Sequence, residues 1–202
     1  MSTQSPPVAP GEYVTLEDFL SLYDGIAAEW VDGKVYPTTP VTNRHHNIVD
    51  FLGTLLRELV EETDAGIIRT SQLAMRIDHS LRVPDILFLA AEHLDRLTET
   101  YVDGPADFAV EVVSPESRAR DRGEKFYLYE QAGVREFWLI DPLRDVVELH
   151  RLGASGKYQP VLPDENGKLV STVLPGFWLK PEWLWRDRLP KVKDVLREWG
   201  LR

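Results

Sequence analysis

The chain has 202 residues, of which 43% are hydrophobic and 28% are charged, and this balance is typical of one folded domain rather than of a disordered polymer. Its formal net charge of −10 argues against a protein that holds duplex DNA through a broadly basic surface, although a cleft can be locally basic on an acidic body. Cysteine is absent, which excludes disulfides and thiolate metal sites, and the apolar runs are too short to cross a membrane. The composition predicts a cytoplasmic protein.

The first segments predict a tail and a short helix. Residues 1–12 are polar and proline-rich, which is typical of a flexible tail rather than a signal peptide, and residues 13–202 are predicted to form a single domain. Thr15 followed by Asp18 has the pattern of a capping box, so a short helix is predicted to begin there and to reach about Tyr23.

A hairpin and a long helix are predicted next. Asp32-Gly33 lies between two β-prone runs and is the strongest local signal for a hairpin turn. From Asn43 to about Glu62 apolar residues recur at intervals of three and four, which indicates an amphipathic helix of several turns. Gly66 is predicted to end this helix.

The remainder predicts mainly strands, with one more amphipathic helix over residues 119–132 that closes at Gly133. The strands are predicted at residues 67–77, 82–90, 108–113, 136–141 and 146–151, with weaker ones at 158–162 and 169–173. A short helix near 192–199 completes the chain. This order of elements predicts an α/β fold in which a mixed β-sheet is flanked by helices.

Two carboxylates lie on predicted apolar strands. Asp85 follows Pro84 at the head of an apolar strand, and Glu111 lies in the middle of the apolar run 108–113. A carboxylate inside a buried strand is costly unless it is paired, hydrogen-bonded or bound to a metal. Two such oxygen ligands on neighbouring strands suit Mg²⁺ or Mn²⁺ better than zinc.

A lysine on the following helix completes the candidate site. Lys125 is predicted in the first turns of that helix, from which a long ammonium side chain can reach back across the strand end. Phosphodiester hydrolysis needs a metal that polarises the phosphoryl oxygen and a cation that steadies the developing charge. A purely structural alternative stays open, in which Glu111 forms a buried ion pair with Lys125 or Arg120.

The motifs in this region closely resemble one family over about residues 14–180. The matching segments are Pro84-Asp85, VEVVSPES at 110–117, RDRGEK at 120–125 and YEQAGVREFWLIDP at 129–142. They resemble the Uma-type restriction endonuclease family of the PD-(D/E)XK nuclease superfamily. The resemblance implies a restriction-endonuclease-like core and a divalent metal held by Asp85 and Glu111.

The same resemblance implies roles for further residues. Glu29, before the long helix, matches an acidic residue that supports metal or water, and the carbonyl of Val112 is a possible further metal ligand. The superfamily pattern places lysine two residues after the glutamate, but Val113 occupies that position here. Lys125 is therefore the matching lysine, displaced onto the following helix.

The function implied is that of a Mg²⁺-dependent (or Mn²⁺-dependent) endonuclease that hydrolyses DNA. Two alternatives stay open: a catalytically silent binding or scaffolding module of the same fold, and a metal-dependent hydrolase of another phosphoester. A homodimer is predicted, because cutting both strands of a duplex usually takes two sites and the C-terminal third is rich in aromatic residues.

Several polar residues are candidates for supporting roles. His46 and Gln72 are possible supports of the metal site, although His45 and His46 are adjacent and so point about 100° apart on a helix. At the start of the helix, these two histidines are suited to contact a phosphate or a carboxylate. The candidate substrate-binding residues are Arg118, Arg120 and Arg122. Acidic residues interleave with them, so a salt-bridged loop is an equally good interpretation.

Overall fold

The computed structural model describes residues 12–24, 26–37, 41–70, 73–115 and 120–201. The predicted tail therefore lies outside the described residues except for Glu12. The α-helices of these ranges are α1 (Leu16–Leu22), α2 (Asn43–Thr63), α3 (Lys125–Ala132) and α4 (Val192–Glu198). Short 3₁₀ segments span Ala91–Arg96 and Pro181–Trp185, and a π-helical segment spans Arg120–Glu124. Among the described helices, none is long and apolar enough to cross a membrane.

Thirteen strands in the described ranges form three sheets. The strands of the first sheet are β1 (Ala28–Val31), β2 (Lys34–Pro37), β4 (Ala74–Ile77), β5 (Ser80–Arg82) and β7 (Tyr101–Asp103). The strands of the second are β3 (Gly66–Thr70), β6 (Ile86–Ala90), β8 (Phe108–Val112), β9 (Glu136–Asp141), β10 (Val146–Leu152) and β11 (Tyr158–Val161). A small third sheet pairs β12 (Leu169–Val170) with β13 (Trp178–Leu179). The spatial orders are β2-β1-β5-β4-β7 and β11-β10-β9-β8-β6-β3.

The six-stranded sheet lies between two hydrophobic clusters. Side chains alternate along a strand. Val110 and Val112 of β8 therefore pack on the side of α2 and the C-terminal segment, whereas Ala109 packs on the opposite side, which faces α3. Strands β8 and β9 are parallel and the other pairs of this sheet are antiparallel. The predicted fold class, a mixed sheet flanked by helices, is confirmed.

The local signals near the N-terminus produce the predicted structures. The Thr15 hydroxyl accepts the backbone N–H of Asp18 at 3.1 Å and so caps α1. The turn between β1 and β2 has positive φ at Asp32 (48°) and Gly33 (79°), as a two-residue hairpin turn of type I′ requires. These contacts depend only on neighbouring residues, which is why the sequence predicts them well.

Three predicted boundaries are wrong. Helix α2 ends at Thr63, its C-cap Asp64 adopts the left-handed conformation at φ 50°, and Gly66 instead begins β3. Residues 67–77 do not form one strand, since β3 and β4 belong to different sheets. Residues 82–90 likewise divide between β5 and β6. Apolar patterning marks each run as β-structure, but the change of sheet depends on contacts with distant strands.

Gly66 is expected to be intolerant of a side chain. Its φ is +147°, and a Cβ atom there would lie 2.1 Å from the carbonyl oxygen of Leu89. We therefore expect Gly66→Ala to lower the free energy of unfolding by about 2–3 kcal/mol, measured by urea denaturation. Gly123→Ala is the matched control, because a Cβ at that position meets no atom within 4 Å. Equal losses in the two variants would contradict the prediction.

Candidate active site

Asp85 and Glu111 meet at one end of the six-stranded sheet. Strands β6 and β8 are antiparallel with Ile86 opposite Val110, so the residue before β6 lies beside Glu111. The Oδ2 atom of Asp85 accepts the backbone N–H of Val112 at 2.7 Å. The Asp85 side chain is 22% exposed, whereas Glu111 is 3% exposed. The two carboxylates therefore lie where the buried end of the sheet reaches the surface.

Lys125 lies among three buried carboxylates. Its Nζ atom is 2.9 Å from Oε1 of Glu111 and 2.9 Å from Oε1 of Glu29. Asp121 is the third carboxylate, with Oδ1 at 3.7 Å from the same nitrogen. The lysine is itself only 5% exposed. Strands β1 and β8 and the π-helical segment thus converge on one ammonium group.

Further hydrogen bonds hold these carboxylates in place. Arg82, on β5, donates from Nη1 to Oε2 of Glu29 at 3.3 Å, and its other terminal nitrogen pairs with Glu124. The backbone N–H of Val83 donates to Oε1 of Glu29 at 3.2 Å. The hydroxyl of Tyr129 donates to Oε1 of Glu111 at 2.8 Å. Both glutamates are therefore oriented by groups from other elements.

The π-helical segment places Asp121 near Lys125. A π-helical turn is wider than an α-helical one, and such turns are frequent at functional sites. Here Asp121 is 1% exposed, and it lies four residues before Lys125, the first residue of α3. Both side chains are consequently buried on the side of the segment that faces the sheet end.

The pKa values of the two buried glutamates are shifted in opposite directions. Burial raises the pKa of Glu111 well above its ordinary value, the charge of Lys125 offsets this only in part, and nearby carboxylates add to the rise. Burial also opposes ionisation of Glu29, but Lys125 and Arg82 together hold its pKa below the ordinary value. Glu29 is therefore the firmer anion of the pair in the metal-free protein.

Lys125 and Tyr129 stay protonated. Burial alone would lower the pKa of Lys125, but the charges of Glu111 and Glu29, and then of Asp121, raise it above the ordinary value. Burial, followed by the charge of Glu111, raises the pKa of Tyr129 well above its usual range. The two groups act as a fixed cation and a fixed hydrogen-bond donor, respectively.

The donors at this sheet end fit a hard divalent cation. Asp85 and Glu111 supply carboxylate oxygens, and both hydrogen bonds to Glu111 converge on Oε1, so that Oε2 is engaged by neither. Within the described ranges, no group of three or more histidine, aspartate or glutamate side chains is arranged to hold a metal. Two carboxylates suit Mg²⁺, which usually keeps several waters and takes one or two protein carboxylates.

Comparisons with known proteins identify the family. A family model, Uma2, described as "Putative restriction endonuclease", matches residues 16–182. The chain belongs to this family. The uncharacterized protein slr1290 of Synechocystis sp. is similar, with 26% identity over 160 residues that cover 78% of this chain and 80% of that protein.

A solved structure shows the same fold as this Uma2-family protein. It is the crystal structure of a protein from Anabaena variabilis, described as a "putative nuclease". The TM-score is 0.72 at 20% identity, and the match covers 85% of this chain and 97% of that one. The similarity shows that the two chains share a fold.

The structure of the Uma2-family protein brings five of the ten predicted site residues together. Ion pairs join Lys125 to Glu111 and Glu29, and Asp85 lies beside them through its hydrogen bond from the backbone N–H of Val112. Helix α2 was predicted to contribute His46, but that residue is exposed, and its neighbour His45 contacts Asp85 instead. Adjacent side chains on a helix point about 100° apart, so only one of the two histidines faces the sheet end.

The remaining predicted residues lie outside this group or outside the described residues. Gln72, Arg118 and the side chain of Arg120 are outside the described residues. Arg122 is described, and its terminal nitrogens pair with Asp141 at 3.1 Å and Glu148 at 2.6 Å. A phosphate would have to compete with both carboxylates for this guanidinium.

Sequence reasoning missed three buried participants. Asp121 is one of the acidic residues that interleave with the arginines and predict a salt-bridged loop, and no pattern assigns a role to Tyr129 or Arg82. Asp121 and Tyr129 lie four residues before and four after Lys125, a spacing that places side chains on one helix face and could have indicated them. Arg82 gives no such local signal, because its partners Glu29 and Glu124 are distant in sequence.

Proposed function

We propose that this protein is a Mg²⁺-dependent endonuclease that hydrolyses phosphodiester bonds of DNA. The observation that carries the proposal is the convergence of Glu29 and Glu111 on a buried Lys125, beside the partly exposed Asp85. This arrangement places acidic oxygen donors and a permanent cation at the same sheet end. A phosphodiester group needs both kinds of partner during hydrolysis.

Each residue has a distinct proposed role. Asp85 and Glu111 would hold the Mg²⁺ ion, with the carbonyl of Val112 as a further ligand. The bound ion would polarise the phosphoryl oxygen and lower the pKa of a water molecule. Lys125 would position the attacking oxygen through its positive charge. The surrounding carboxylates raise its pKa, which favours the charged form that this role needs.

Glu29 has a supporting role in this proposal. Its pKa is held below the ordinary value by Lys125 and Arg82 despite its burial, so it remains an anion. As an anion it holds the ammonium group of Lys125 at 2.9 Å. Glu29 would therefore orient the lysine toward the strand ends.

DNA as the substrate rests on the family description rather than on surface charge. The net charge of −10 does not favour a nucleic-acid surface, and Arg122 is already paired with two carboxylates. The homodimer and the cytoplasmic location likewise remain predictions. The molecular mass in solution tests whether the protein is a dimer.

Plasmid cleavage tests the proposal directly. Wild type is expected to nick or linearise supercoiled plasmid with Mg²⁺ or Mn²⁺, and Asp85→Asn is expected to reduce the rate by about 10²–10³-fold, because it removes a charged metal ligand. Asp50→Asn is the matched control, since Asp50 is exposed on α2. It should cleave at the wild-type rate.

Other outcomes separate the alternatives. Equal cleavage by wild type and Asp85→Asn would show a contaminating nuclease and overturn the site assignment. If the wild type neither cleaves DNA nor binds Mn²⁺ in calorimetry, the protein is a silent module. Cleavage of bis(p-nitrophenyl) phosphate without cleavage of DNA would instead indicate a hydrolase of another phosphoester.

A further inference from the structure

We infer that His45 is a positioning residue that donates a hydrogen bond from Nε2 to Asp85 and thereby fixes the orientation of this carboxylate. The inference rests on the proposed function, in which Asp85 is a metal ligand. The two atoms Nε2 and Oδ1 are 3.0 Å apart. His45 comes from a different element, α2, and from a position 40 residues earlier in the chain.

The start of α2 holds His45 in a fixed position. Thr42 is the N-cap, and its hydroxyl accepts the backbone N–H of His45 at 3.2 Å. The histidine is 6% exposed, so its ring is packed between the helix and the sheet end. A buried ring on a capped helix has little freedom to turn away from Asp85.

The second ring nitrogen indicates where the proton resides. Nδ1 of His45 is buried and has no hydrogen-bond partner among the described residues. A neutral imidazole carries one donor and one acceptor nitrogen, and a buried N–H without an acceptor is rarer and costlier than an unused lone pair. The arrangement therefore favours a proton on Nε2, from which it is donated to Asp85.

Two donors then define the orientation of Asp85. His45 donates to Oδ1, and the backbone N–H of Val112 donates to Oδ2 at 2.7 Å. An ionised carboxylate has about four lone-pair positions, so two remain for a ligand. The two bonds select which of these positions face outward. Groups that orient a metal ligand in this manner typically contribute about 10–100-fold to metal affinity.

Calorimetric titration with Mn²⁺ tests the inference in matched variants. We expect His45→Leu, which fills the space without a donor, to weaken binding by about 10–100-fold. His45→Gln keeps an N–H at the end of a side chain of similar reach and is expected to recover most of the affinity. His79→Leu is the control, because this histidine is exposed in the turn between β4 and β5, and it should bind as wild type does.

A second measurement does not depend on metal. Long-range ¹H–¹⁵N correlation spectra of the imidazole rings, with the His45 signals assigned by their loss in His45→Gln, are expected to show a proton on Nε2. An Nε2 without a proton would overturn the inference even if His45→Leu fails to fold. Mn²⁺ affinity in His45→Leu equal to that of the wild type would also overturn it. If the wild type binds no Mn²⁺, the proposed function fails, and the position of the proton then decides the inference.

Discussion

Lys125→Met is expected to lower the free energy of unfolding by about 3–5 kcal/mol at neutral pH. The substitution keeps much of the side-chain volume but removes the ammonium group from among Glu29, Glu111 and Asp121. Removing one partner of a buried ion pair leaves the other charge without compensation, and here Glu29, whose pKa the lysine helps to lower, loses its partner. Urea denaturation without added metal measures the effect.

The loss should depend on pH in a defined direction. In the wild type the pKa of Glu29 is lowered, so this residue contributes stability above its unfolded pKa, and that contribution is lost as the pH falls. Without Lys125 the buried carboxyls have raised pKa values, so they destabilise the variant as the pH rises. The difference from wild type should therefore be larger at mildly alkaline than at acidic pH.

An exposed lysine supplies the comparison for this variant. Lys34→Met, in β2, removes an exposed ammonium group and should change the free energy of unfolding little at any of these pH values. If Lys125→Met were no less stable than Lys34→Met, the buried carboxylates would not depend on the lysine. The assignment of Lys125 as their shared cation would then be wrong.

Glu111→Gln is expected to reduce DNA cleavage by about 10²–10³-fold without lowering the stability of the metal-free protein. Burial and the neighbouring carboxylates raise the pKa of Glu111, so its charged form is disfavoured, and glutamine resembles the neutral form. The amide oxygen can still accept hydrogen bonds from Lys125 and Tyr129. Plasmid cleavage and urea denaturation measure the two effects separately.

The sign of the pH dependence follows from the raised pKa of Glu111. A carboxyl whose pKa is raised by folding destabilises the protein as the pH rises through that pKa, so Glu111→Gln should gain stability relative to wild type with rising pH. Glu61→Gln, on the exposed face of α2, is the control and should match wild type in both measurements. A stability loss as large as that of Lys125→Met would show that the charge on Glu111 stabilises the fold.

Some residues of the candidate site can be predicted from sequence patterns, and others cannot. Asp85 and Glu111 are conspicuous because a charged residue at or within an apolar strand is costly to bury. Lys125 follows from the family resemblance, since the usual lysine position holds Val113. Arg82 has no comparable signal. Its buried guanidinium is explained only by the carboxylates that the fold brings to it.

The sequence alone determined the features that depend on near neighbours. Strand alternation, helical periodicity, the cap at Thr15 and the Asp32-Gly33 turn each arise from contacts within a few residues. The assignment of the chain to a mixed sheet flanked by helices follows from the order of such elements. These physical constraints act within any short segment, so the features that they produce can be predicted without the rest of the chain.

Only the tertiary structure decided which distant groups share a site. It separated β3 from β4 into different sheets and selected His45 rather than His46 as the partner of Asp85. It also buried Asp121 beside Lys125, although its charged surroundings in sequence resemble a solvated loop. These outcomes depend on burial and on contacts between separate elements. Both depend on how the elements pack and not on the identity of adjacent residues.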